Sequence, residues 1–226
     1  METPEYYKDY FREGPVGGDN DKQRDFAIYP PAATGWRIDA IAMNAAWLID
    51  NLMVTYEGID DENKGETRTF NKNGQTSAKA LAAGPTGKHW TVAAVEHLTK
   101  ITGRHGKATT GDLYGGSENT VVTLRVEGLK DTTGAAGGGG AGFKDTTEPF
   151  EFNAPLGFHI VGFFGTLFIK EDHSETVNKL GVLFAPMPQL TEDEKKNILK
   201  MRKENKNDEE IAKELNRHLD TIKQVN

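Results

Sequence analysis

Cysteine is absent from this 226-residue chain, and so is any long apolar run. Without Cys there is no disulfide, no thiol nucleophile and no thiolate metal site, which fits a reducing compartment. No stretch approaches the ~20 apolar residues that span a bilayer, so no membrane insertion is expected. Met1 to Tyr10 is charged and has no apolar centre, so it does not read as a secretory signal. The cytosol is therefore the expected location, with non-classical export left open. Positive charge is also short. Lys and Arg number 27 against 34 Asp and Glu, a net charge of -7, and such a surface disfavours nonspecific nucleic-acid binding.

A further absence is local. All 25 Gly, all nine Pro and every aromatic residue lie in 1–188, whereas the 38 residues from Gln189 to Asn226 hold none of them. The chain thus divides near Pro186-Met187-Pro188 into a Gly-rich body, 1–188, and a Lys/Glu-rich tail, 189–226. A body of this size buries a sizeable core.

Catalytic patterns are missing too. The six His form neither His-x-His nor His-Glu-x-x-His, and His97 beside Glu96 on a strand points to the opposite face. Asp60-Asp61 and Glu171-Asp172 fall in loops without EF-hand spacing. The glycine-rich stretch 133–142 reads as a flexible loop, and with no Lys-Ser or Lys-Thr after it, it is not a phosphate cradle. No enzyme activity, cofactor or metal is expected.

What remains in the body is a series of short strands. Phe26–Tyr29, the stretch from Trp36 with a change of phase near Asp39, Trp47–Tyr56, Trp90–Val95, His97–Thr102, Thr120–Val126, Phe158–Ile169 and Val177–Phe184 alternate or run apolar. The phase change predicts a β-bulge or a loop before the strand. Asn73-Gly74 predicts a hairpin. Gly103 and Gly106 are expected to place Arg104 and His105 in a turn, and Lys170–Thr176 is expected to be a charged loop. Helix is expected only after residue 188, so the body reads as closed or face-packed antiparallel β structure.

Gly14-Pro15-Val16-Gly17-Gly18, Glu96 to Gly103 followed by Gly106, Val122–Val126, Pro149-Phe150, Ile160–Gly165 and Leu180–Val182 occur in an order that resembles the jacalin-related lectins over about 14–185. The resemblance implies an all-β fold: a β-prism I of three four-stranded antiparallel sheets, with the tail as a small helical appendage. It implies a non-catalytic lectin for mannose- or galactose-type glycans and glycoproteins. It further implies a sugar site made by the early glycine turn, Gly17 and Gly18, and a late Gly-x-x-x-Asp loop near Gly165. In this chain Ser174 stands at that loop's Gly position and Asn178 at its Asp position, after an inserted Glu171-Asp172-His173. Asp172 either takes over the carboxylate role or is a solvated hairpin residue. An intact spacing occurs at Gly35-Trp36-Arg37-Ile38-Asp39, a candidate second site with Gly35 and Asp39 at the ligand and Lys72 or Asn73 completing it. The competing reading makes Asp39 a bulge residue and Trp36 core.

In the tail, Thr191 and Glu194 form a capping-box pattern, and Asn207 or Asp208 caps a second helix. Asn216 stands where the chain must turn. Ile211-Ala-Lys-Glu-Leu-Asn216 followed by Leu219-Asp-Thr-Ile-Lys223 resembles a helix-turn-helix module. That resemblance implies DNA contacts by Arg217, His218, Thr221, Lys223 and Gln224. The scarcity of basic residues there leaves two other roles open: docking on the body, or homo-oligomer formation through Ile198, Leu199, Ile211 and Leu215.

Overall fold

The structure is a computed structural model, and it describes residues 10–18, 22–32, 34–45, 48–76, 90–94, 97–106, 120–128, 133–137, 147–169 and 175–225. Three antiparallel sheets surround one core. The first has the order β1-β13-β12-β2, from β1 (Phe11–Gly17), β2 (Gln23–Ile28), β12 (Phe158–Ile169) and β13 (Glu175–Pro186). The second combines β3 (Trp36–Ala45), β4 (Ile49–Gly58), β5 (Thr67–Asn71) and β7 (Trp90–Ala94) with a three-residue edge strand, β6 (Gly74–Thr76). The third has the order β10-β9-β8-β11, from β8 (Leu98–Gly106), β9 (Thr120–Gly128), β10 (Thr133–Gly137) and β11 (Thr147–Asn153). This is a β-prism, its first and last strands paired so that one sheet closes the chain on itself.

Each sheet sends alternate residues inward. Phe26, Phe163 and Val182 meet Ile41, Val54 and Tyr56 of the second sheet and Ile101, Val126 and Phe152 of the third. The Tyr56 hydroxyl is satisfied inside by donating to the Val161 carbonyl at 3.0 Å. β12 and β13 are nearly continuous apolar runs because their outer face is covered as well. Val161, Leu183 and Ala185 pack there under Tyr10 and Tyr29.

Three expectations change. Gly103 to Gly106 belong to β8 and make no turn. The reason is an aromatic: Phe150 lies directly opposite Gly103, and a Cβ there would be 2.4 Å from its ring. Thr133–Gly137 pairs with β9 as a strand and is not loop. β13 begins at Glu175, so the charged loop is shorter than expected and Asn178 lies inside a paired strand. Of the bulge or loop expected near Asp39, the bulge is present, as the β3–β4 register shifts between Ile38 and Ala40.

The tail forms α1 (Glu192–Lys203), α2 (Asp208–Glu214) and α3 (Leu219–Lys223). Thr191 and Asn207 both close capping boxes, with Glu194 and Glu210. Ile198, Met201, Ile211, Ala212, Ile222 and Val225 make a small core of their own. Arg202 staples it by pairing with Asp208 at 2.8 Å and donating to the Ile222 carbonyl at 2.9 Å.

Candidate functional site

The two segments expected to build a binding site do converge. Asn178, on β13, donates its side-chain N–H to the Gly18 carbonyl at 2.8 Å, across 160 residues of sequence. A Cβ on Gly17 (φ 128°) would lie 2.2 Å from the Asn178 carbonyl oxygen, so only glycine lets the turn lie this close. The rest of the geometry differs from the expectation. Asn178 is completely buried and also donates to Gln23 Oε1 at 3.1 Å and Thr166 Oγ1 at 3.2 Å. The Gly18 carbonyl can only accept, which fixes the amide nitrogen as the group that faces it. Asn178 therefore ties the glycine turn to the hairpin and presents no acceptor to a ligand. An aspartate there would set a carboxylate against acceptors.

Among the described residues a charged cluster at this end is formed instead by Glu175, Arg24 and Lys72. Arg24 grips Glu175 with two N–H groups, the Nη2 contact measuring 2.8 Å, and Lys72 Nζ lies 3.1 Å from the same carboxylate. Lys72 also donates to the Asp50 carbonyl at 3.2 Å, and Arg24 to Asn73 Oδ1 at 2.6 Å. Hydrogen bonding from Arg24, helped by Lys72, holds the Glu175 carboxyl below the usual carboxylate range. At Lys72 burial outweighs the carboxylate and lowers the pKa. Lys72 and Asn73 thus belong to the Gly18 end, not to the Gly35–Asp39 stretch that they were expected to complete. No periodic signal in the sequence marks Arg24, Lys72 or Glu175 as neighbours.

The other expected residues fall as follows. Gly165 is mid-strand, paired with Leu180 and Phe26, and a Cβ there would strike the Lys179 carbonyl at 1.9 Å. Asp172 and Ser174 lie outside the described residues. Asp39 is the exposed residue at the β3 bulge, on a strand and not on a hairpin tip. Trp36 is buried, with the Arg68 guanidinium 4.9 Å above its ring. The carboxylate beside Gly35 is that of Asp60, which the spacing pattern missed because it comes from the β4–β5 loop.

At the opposite end the tail is bound to the prism. Asn216 (φ 48°) donates its side-chain N–H to the Phe158 carbonyl at 2.9 Å and accepts from the Gly157 N–H at 3.1 Å. Arg217 is buried, pairs with Glu194 at 2.6 Å and donates to the Pro188 carbonyl. Burial alone would raise the Glu194 pKa, but the Thr191 backbone N–H and Arg217 outweigh it and hold the carboxyl low. His97 and His159 stack edge to face beside this pair, at 5.4 Å. Burial, with His97 and Arg217 nearby, pushes the His159 imidazole down to about 3. Of the residues expected to contact DNA, Arg217 is thus consumed inside the fold. His218, Lys223 and Gln224 are exposed and Thr221 is half-buried, on or beside a helix of five residues.

Among the described residues no group of three His, Asp or Glu converges as a metal site, and no helix is long and apolar enough to cross a membrane. The fold and its polar hairpin end define a β-prism binding protein. A jacalin-like lectin domain matches residues 13–183, and the chain belongs to that family, whose members bind carbohydrate without catalysis. A mannose-specific jacalin-related lectin from Morus nigra, solved with mannose, is 18% identical with a TM-score of 0.50, over 78% of this chain and 94% of that one. A mannose-binding jacalin-related lectin from Ananas comosus is 20% identical with a TM-score of 0.49, over 79% and 99%. A comparison with curated protein sequences gave no match.

Proposed function

We propose that this chain is a lectin that holds mannose- or galactose-type glycans, free or on glycoproteins, at the prism end where the Gly17–Gly18 turn meets β13. The observation that carries the reading is the Asn178 bridge to Gly18, which holds the early glycine turn against β13 and supports a site there. Backbone N–H groups of the turn serve as donors to hydroxyls. Glu175 serves as the acceptor in place of Asn178, and its grip by Arg24 and Lys72 keeps it ionised. The tail, 189–226, acts as a docked appendage on a prism that folds by itself. The buried Arg217 favours that role over a DNA-binding one.

The test is a glycan array on the full chain, followed by calorimetric titration of the best ligand. Glu175→Gln keeps the side chain's shape and removes its charge, and should weaken binding about tenfold. An array without mannose or galactose hits would refute the ligand class, and unchanged affinity in Glu175→Gln would refute the acceptor.

A further inference from the structure

The end of the prism facing the tail holds a separate cavity of about 540 Å³. Its walls come from the connection between β2 and β3, the loop between β4 and β5, and the linker Pro186–Gln189. That volume accommodates a small ligand such as one or two sugar rings.

Three features of the wall specify what fits. The first is a carboxylate over bare backbone. Gly35 has φ 79°, and a Cβ added to it would lie 1.9 Å from Asp60 Oδ2. Asp60 receives hydrogen bonds from the Asn63 backbone and side-chain N–H groups, both at 2.8 Å, and both end on Oδ1. Among the described residues Oδ2 receives none, so its lone pairs are left for an incoming donor. The second feature is the apolar surface beside it: Pro30, Trp36, Ile59, Met187 and Pro188 line the same cavity. The third is charge. Among the described lining residues there is no Lys or Arg, and the buried His159 in the wall is held neutral. Asp60 is therefore the one formal charge among them, which disfavours an anion. A neutral ring with hydroxyl donors on its edge and C–H groups on its face matches all three features.

We infer that this cavity is a second carbohydrate site, with Asp60 Oδ2 accepting from a ring hydroxyl while the proline, Ile59 and Met187 surfaces cover the ring's apolar face. The ligand class rests on the lectin reading above; the location does not. Sites at opposite ends of one prism would let a single chain bridge two glycans. The linker in the wall also makes this site the one nearest the docked tail.

The experiment is a titration of the ¹⁵N-labelled full chain with methyl α-D-mannopyranoside and methyl α-D-galactopyranoside. The Gly35 amide and the Trp36 indole N–H report the cavity, and the Gly17 and Gly18 amides report the hairpin end. At least one sugar should shift Gly35 and Trp36 to saturation. Asp60→Asn retains an oxygen for Asn63 and should weaken that response roughly tenfold without altering the Gly18 curve. Thr34→Trp, at an exposed position on the rim, should block the cavity independently of Asp60. Saturable shifts at Gly17 and Gly18 with flat Gly35 and Trp36 signals would overturn the second site and leave the lectin reading intact. The reverse would retain the cavity and remove the hairpin site. A Gly35 response that survives both variants would also overturn the proposal.

Discussion

The two ends of the prism are closed by buried polar side chains of different kinds. At the hairpin end a neutral amide, Asn178, ties the glycine turn to the hairpin, its two N–H groups shared among three acceptors. At the tail end a charged pair within the tail, buried Arg217 and half-buried Glu194, lies beside two histidines of the prism. An amide satisfied by acceptors costs little to bury, whereas an ion pair is safe only while both members are present. Between pH 7 and 5, where Glu175 stays ionised, the hairpin end should therefore tolerate acid better than the tail end, and the tail end should fail more sharply when one partner is lost.

The largest effect is expected from Glu194→Ala, which leaves the Arg217 guanidinium buried without its carboxylate. A loss of about 3–5 kcal/mol in denaturant unfolding is expected, with release of α1–α3 from the prism seen as exposure of Phe158 and Gly157 amides to hydrogen exchange. A loss below about 1 kcal/mol would mean that the pair is not closing this end.

Next is Asn178→Asp, which restores the residue type of the family's loop. Here it turns a donor into an acceptor facing the Gly18 carbonyl and Gln23, so about 2–3 kcal/mol of stability should be lost. A neutral or stabilising result would show that the turn can swing away and offer the carboxylate to ligand.

Acidification separates the two ends without mutation. Folded His159 titrates near 3 and the unfolded imidazole near 6.5, so the unfolded chain binds the extra proton between those values. This contribution is fully present above pH 6.5 and falls as the pH drops, by about 2 kcal/mol at pH 5. His159→Gln should flatten the stability profile between pH 7 and 5; a wild-type profile already flat there would contradict the burial argument. The smallest effect belongs to Asp39→Asn. Asp39 is exposed at a bulge, so stability should stay within about 0.5 kcal/mol and sugar affinity should not change.

Much of the architecture was legible in the residues. Alternation in 120–126, the apolar run at 158–169 and the phase change at Asp39 each produced the strand or bulge they implied, because side-chain direction along a strand is a local property. Caps were equally local: Thr191 with Glu194 and Asn207 with Glu210 lie within one helical turn. Glycine was the residue that misled. Gly103 serves to admit the Phe150 ring and not to turn the chain, and the partner that decides this is 47 residues away. The Gly35–Asp39 spacing likewise gave no sign of Asp60, whose carboxylate lies beside Gly35 but comes from another loop.

The sequence by itself therefore determined a β-rich body, a break near Pro188 and a tail of three helices, the first two capped, since periodicity and capping act over a few residues. Only tertiary structure decided that Asn178 faces inward, that Asp60 lies over Gly35 and that Arg217 is spent on Glu194. Each of these depends on close approach between segments far apart in the chain, where packing and hydrogen-bond satisfaction, not local pattern, select the partner.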